Sequence, residues 1–110
     1  MPTTYAIPDG RTVMAATLYT GNGTTTGDTQ AISNAVNGVS FKPDFVWLKS
    51  RSNVEVHQLW DTARGVSKNI NSNSTSQQFD QSPNGVNAFN TNGFSLNSAG
   101  TSWNQSGQNY

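Results

Sequence analysis

The chain contains no cysteine, one histidine, one glutamate and only four leucines, and each shortage removes a class of protein. Without thiols there is neither a disulfide staple nor a thiolate metal site. Leu, Glu and Lys, from which long amphipathic helices are built, are too scarce for a helical core. No apolar run approaches the roughly 20 residues of a membrane helix. The first residues lack the apolar core of a secretory signal, so synthesis in the cytoplasm without a signal peptide is expected. Charge is sparse too. Six basic and six acidic residues cancel, and no basic stripe is present to neutralise phosphates, which argues against nucleic-acid binding.

What is abundant is polar and uncharged. Asn, Gln, Ser and Thr supply 47 of the 110 residues and Gly ten more, against 33% hydrophobic residues. Thr and the aromatics favour strands, whereas Asn, Gly and Ser favour turns. The composition therefore predicts an all-β domain with long polar loops, and the length allows one domain. A small polar domain without staples gains stability from neighbours, so a homo-oligomer is expected.

Charge is unevenly placed along the chain: eight of the twelve charged residues fall between Lys42 and Lys68, and none follows Asp80. Residues 1–17, with two prolines and a Pro-Asp-Gly turn signal at 8–10, read as an extended arm with at most a short strand. Residues 18–110 form the domain proper. Within it, 18–30 is a Gly/Thr loop, 31–40 a short strand or one helical turn, and 71–85 a long polar loop anchored by Phe79.

The strands are clearest in the middle. In "FKPDFVWLKSRS" (41–52), the run Phe45-Val46-Trp47-Leu48 is fenced by Lys42, Asp44, Lys49 and Arg51. It is too short for a buried helix and follows Pro43, which suits a central strand covered on both faces. "NVEVHQLWD" alternates, with Val54, Val56, Gln58 and Trp60 on one face, as in a half-buried strand. "VNAFNTNGFSL" (86–96) reads as two short strands joined through Asn92-Gly93, where Asn and Gly tolerate positive φ.

These segments also carry a resemblance. Tyr19 to Gly23, Phe41 to Arg51, the Asp61-x-x-Arg64-Gly65 turn, and Phe89, Gly93, Phe94 and Leu96 occur in the order seen in a domain frequent in phage and prophage virion proteins. That domain is similar to concanavalin A-like lectin sandwiches. The resemblance covers about residue 18 to the end and implies an antiparallel, jelly-roll or lectin-like β-sandwich. It implies a virion location, in a tail fibre or appendage that touches host surface glycans, or in a capsid decoration or adaptor protein without a ligand. Other virion proteins are the implied partners, and a trimer the implied oligomer. Family members continue past the equivalent of Tyr110 into an apolar, Trp-containing strand. The resemblance thus implies a sandwich incomplete at its C-terminal edge, with the arm and the region of Trp103 and Tyr110 making contacts.

Chemistry-bearing candidates are few. "GNGTTTG" (21–27) resembles a phosphate loop but lacks the Lys-Ser/Thr ending. His57 lies near Glu55 and Asp61, yet no nucleophile-elbow Ser accompanies it. Glu55, Asp61 and Asp80 show no spacing that singles out a glycosidase pair, so a glycan-cleaving enzyme ranks third and no catalytic residue is assigned. No metal site and no cofactor are expected. Calcium, which many lectins of this shape use, is the one metal kept in view, although no EF-hand-like loop is present.

Asp61 and Arg64 suit an ion pair across a turn that Gly65 lets the chain leave, with sugar or partner recognition by Arg64 as the alternative. Trp47 is assigned to the core and Trp60 left open. Trp103, amid "AGTSWNQSGQ", is taken as the aromatic most exposed, able to stack on a sugar ring or a neighbouring subunit. The Asn-x-Ser/Thr triplets at Asn22, Asn73 and Asn104 are expected by chance in so Asn-rich a chain.

Overall fold

The computed structural model describes residues 4, 6–25 and 27–110. Seven strands follow one short 3₁₀ turn at Gly10–Thr12: β1 Thr29–Ser33, β2 Phe45–Leu48, β3 Gln58–Asp61, β4 Lys68–Asn71, β5 Phe79–Asp80, β6 Gly85–Asn90 and β7 Gly93–Asn97. They form two sheets, one in the order β1-β7-β6 and one in the order β2-β3-β4-β5. Every pairing is antiparallel. The protein is an all-β sandwich.

The core lies between the sheets. Ile32, Val86, Phe94 and Leu96 from the three-stranded sheet meet Val46, Leu48 and Trp60 from the four-stranded one. Trp103 closes the layer from the C-terminal loop, its ring edge-on to Trp60 at 6.2 Å and 85°, a geometry the aromatic quadrupoles favour. Gly85 is required here: a Cβ on it would lie 2.1 Å from the Trp60 ring, and its φ is +80°.

The sequence places the central strand wrongly. β2 is an edge strand, paired only with β3, and its residues alternate exposed and buried. Val46 and Leu48 enter the core, while Phe45 and Trp47 are 54% and 59% exposed. An unbroken apolar run specifies a strand with two apolar faces but not what covers the second. The strand buried along its whole length is instead β7, GFSLN. Its outer polar residues are buried because neighbouring groups satisfy them: Asn90 Nδ2 donates to Ser95 Oγ at 2.7 Å and Asn97 Nδ2 to the Pro83 carbonyl at 3.0 Å.

Three further expectations are adjusted. The alternation from Val54 becomes regular strand only at Gln58, where Gln58 and Trp60 share the buried face; Val54 is fully exposed. The hairpin closes on Thr91 and Asn92, with Gly93 opposite Asn90 as the first residue of β7. Phe79 is not an anchor but an exposed residue of the edge strand β5. The N-terminal arm lies partly outside the described residues, at 1–3 and 5. Its described part holds the 3₁₀ turn, capped where the Asp9 side chain accepts from the Arg11 amide.

Candidate functional site

The described residues line a groove of about 530 Å³. One wall is the free edge of β2 with Lys49 and Arg51. The other is formed by Ala15, Ala16, Thr17 and Tyr19, and Phe41, Phe94 and Tyr110 also line the groove. The lining is dominated by apolar and aromatic side chains. Trp47 stands at its rim, its indole N–H donating to Nδ1 of His57 at 3.0 Å.

The base is made rigid by two tyrosines. Tyr19 and Tyr110 stack at 5.1 Å with 16° between their planes, and Tyr19 meets Phe94 edge-on. The Tyr19 hydroxyl donates to the Trp103 carbonyl at 2.6 Å, and the Tyr110 hydroxyl to the Thr101 carbonyl at 2.7 Å. Burial pushes the Tyr19 hydroxyl far above the usual phenol range, the neighbouring Tyr110 adding to it. Burial likewise raises Tyr110. Both remain neutral donors.

The residues singled out in the sequence do not gather here. Trp60 and Trp103 are 0% and 9% exposed, and the Trp103 indole N–H donates to the Asn97 carbonyl at 3.3 Å. Neither presents a ring face to a sugar or a neighbour. This corrects the placing of Trp103 as the most exposed tryptophan; Trp47 has that position. Tyr110 (5% exposed) and Trp103 are both buried, Tyr110 against the groove. The signal missed was Gly100, whose place a Cβ would fill at 2.1 Å from the Trp103 ring.

Asp61, Arg64 and Gly65 form the turn after β3. Asp61 Oδ1 accepts from the Arg64 amide at 2.8 Å, Asp61 Oδ2 pairs with the Arg64 guanidinium, and the Gly65 amide donates to the Asp61 carbonyl at 3.2 Å. Gly65 leaves the turn at φ +89°. Arg64 is thereby engaged within its own turn.

In the "GNGTTTG" loop five of the described amides are bonded within the chain. Gly21 donates to Gln108 O, Asn22 to Asn104 Oδ1, Gly23 to Asn104 O, Thr24 to Asn22 Oδ1 and Gly27 to Asn97 Oδ1. The carboxylates are separately engaged. Glu55 accepts from the Ser102 hydroxyl at 2.8 Å, Asp61 from Arg64, and Asp80 from the Ser82 amide at 3.0 Å. Among the described residues no group of three or more His, Asp or Glu could hold a metal ion.

Fold and groove together define an all-β sandwich with an open flank along β2. The chain belongs to the family described as a domain of unknown function, DUF7483, whose model matches residues 9–110. No curated protein and no solved structure matches it.

Proposed function

We propose that this protein is a non-enzymatic structural component of a tailed-phage virion, a domain that makes contacts with other virion proteins along its open flank. The observation that carries the reading is the pairing of an unpartnered strand edge with exposed Phe45 and Trp47 beside an apolar groove. A monomeric domain rarely leaves such a surface bare unless something docks on it. Titratable groups that each serve a different neighbour, rather than converging, support a role without catalysis. The motifs shared with virion domains supply the setting. A multi-copy arrangement, three about an axis, fits that setting.

Burial of Trp60 and Trp103 moves weight from the tail-fibre reading towards the architectural one. Glycan recognition stays as a second reading because Trp47 offers an exposed ring held in place by His57. The test is to purify particles that carry the protein and locate it in a density map. It is expected at fixed stoichiometry, with the Phe45–Trp47 flank against another protein. Absence from the particle overturns the proposal. On a polysaccharide array, binding that disappears in Trp47→Ala would favour the second reading.

A further inference from the structure

Four Asn-Gly pairs stand in the sequence, at Asn22-Gly23, Asn37-Gly38, Asn84-Gly85 and Asn92-Gly93. In such a pair the glycine amide nitrogen can attack the carbonyl carbon of the asparagine side chain, because the second residue has no Cβ to stand in the way. The attack needs a free side chain, a free amide and a main chain able to turn about the bond between them. The fold grants all three to one pair of the four.

The others are locked. Asn22 Oδ1 accepts from the Thr24 amide at 3.1 Å and from Asn104 Nδ2 at 3.2 Å, and the Gly23 amide donates to the Asn104 carbonyl at 3.1 Å. Asn84 Oδ1 is buried, and Gly85 is a buried residue of β6 paired with Asn97. Gly93 lies in the middle of its sheet, paired with Ser33 on one side and Asn90 on the other. The Asn92 carbonyl accepts from the Asn34 amide at 2.9 Å.

Asn37-Gly38 differs at each point. Both residues are exposed, and nothing lies within 4 Å of the place a Cβ on Gly38 would take. Among the described residues no hydrogen bond engages the Asn37 side chain or the Gly38 amide. The two residues are the corners of a tight turn, at φ +51° and +80°, the pattern that Asn-Gly favours. Reciprocal bonds between Val36 and Val39, at 2.8 and 3.1 Å, close it. That bridge is isolated, with no ladder continuing it. Opening this turn therefore breaks two hydrogen bonds, whereas freeing Gly85 or Gly93 breaks into a sheet.

We propose that Asn37 is a modification site, at which the folded protein deamidates selectively and without an enzyme. The Gly38 nitrogen bonds to Asn37 Cγ, the Cγ–Nδ2 bond breaks, and ammonia leaves with the proton of the Gly38 amide. The product is a cyclic imide. Water then adds to one of its two carbonyl carbons. Opening at Cγ leaves aspartate, and opening at the main-chain carbonyl of Asn37 leaves isoaspartate, with the chain running through Cγ. In sum one water enters and one ammonia leaves, and nothing is oxidised or reduced. Either product brings a carboxylate beside Arg11, whose Nη1 donates to the Val36 carbonyl at 3.5 Å. Isoaspartate also lengthens the main chain inside the turn, which removes the register that the Val36 and Val39 bonds require.

The experiment ages the full chain at mildly alkaline pH, folded in one arm and unfolded in guanidinium chloride in the other. Each Asn-Gly pair is followed by peptide mass spectrometry, with fragmentation that separates aspartate from isoaspartate. In the unfolded arm the four pairs are expected to convert at similar rates, since each is the same dipeptide. In the folded arm Asn37 is expected to convert at least about tenfold faster than Asn22, Asn84 or Asn92. The proposal is overturned if any of those three keeps pace with Asn37 in the folded protein. It is overturned if Asn37 stays intact there while the unfolded arm converts. A tenfold preference for Asn37 already present in the unfolded arm overturns it equally, because neighbouring residues rather than the fold would then set the selectivity.

Discussion

Asparagine is the structural currency of this chain. Asn104 is fully buried, and its amide group joins two loops: Nδ2 donates to Thr24 Oγ1 at 2.9 Å and to Asn22 Oδ1 at 3.2 Å, while Oδ1 accepts from the Asn22 amide at 3.1 Å. Asn34 closes the 34–41 loop, donating to the Phe41 carbonyl at 2.8 Å and accepting from the Phe41 amide at 3.3 Å. An amide side chain imitates a strand partner, which lets loops be held without apolar burial. Replacing Asn104 with Ala removes three hydrogen bonds from a fully buried side chain, although the Asn22 amide keeps Gln30 Oε1 as an acceptor, at a cost of about 1–3 kcal/mol in all. Chemical denaturation should show Asn104→Ala clearly less stable than Asn73→Ala, whose site is exposed. Tryptophans divide in the same way. Trp60→Ala should cost about 3–5 kcal/mol, whereas Trp47→Ala should cost under about 1 kcal/mol, as at surface positions. Equal losses at the two would contradict the edge position of β2.

At the scale of elements, the hairpin β6–β7 and the turn after β3 were legible because short-range chemistry decides them. Asn-Gly fixes the neighbourhood of a reversal, and Asp-x-x-Arg-Gly fixes a bend. Asp61→Asn should keep one cap, the amide of Arg64 on Oδ1, and lose the charge pairing, for about 0–1 kcal/mol. Asp61→Ala loses both and should cost about 1 kcal/mol more; thermal melts of the two variants, ranked in this order, check it. Strand order was not legible. The apolarity of Phe45-Val46-Trp47-Leu48 signals two faces that want cover, and the sequence is silent on whether the same chain covers both. The burial of β7 was invisible for the opposite reason: Ser95 and Asn97 look like solvent-facing residues until Asn90 and Pro83 are brought beside them. The groove escaped notice too, being lined from stretches that meet only in the fold: Ala15 to Tyr19, Phe41 to Arg51, Phe94 and Tyr110.

Across the whole molecule, the Tyr19–Tyr110 stack fastens the last residues of the chain to the start of the domain, between the two sheets. Its stability should depend on pH at the alkaline end. Burial holds the folded Tyr19 hydroxyl protonated well above the ordinary phenol value of 10.0. In the unfolded chain the same hydroxyl ionises near that value, so above it the folded state binds more protons than the unfolded one. A raised folded pKa contributes stability that is complete below the unfolded pKa and is lost as pH rises beyond it. Tyr19 alone should therefore remove up to about 1.4 kcal/mol per pH unit above pH 10. Tyr110, shifted the same way by burial, adds to the slope. Tyr19→Phe deletes the titrating group along with the bond to the Trp103 carbonyl. The variant should be less stable at pH 7 and lose less stability between pH 10 and 11, so that the two curves converge. Urea unfolding at half-unit pH steps would measure both slopes, and parallel curves would show that Tyr19 ionises as freely in the folded protein as in the unfolded chain.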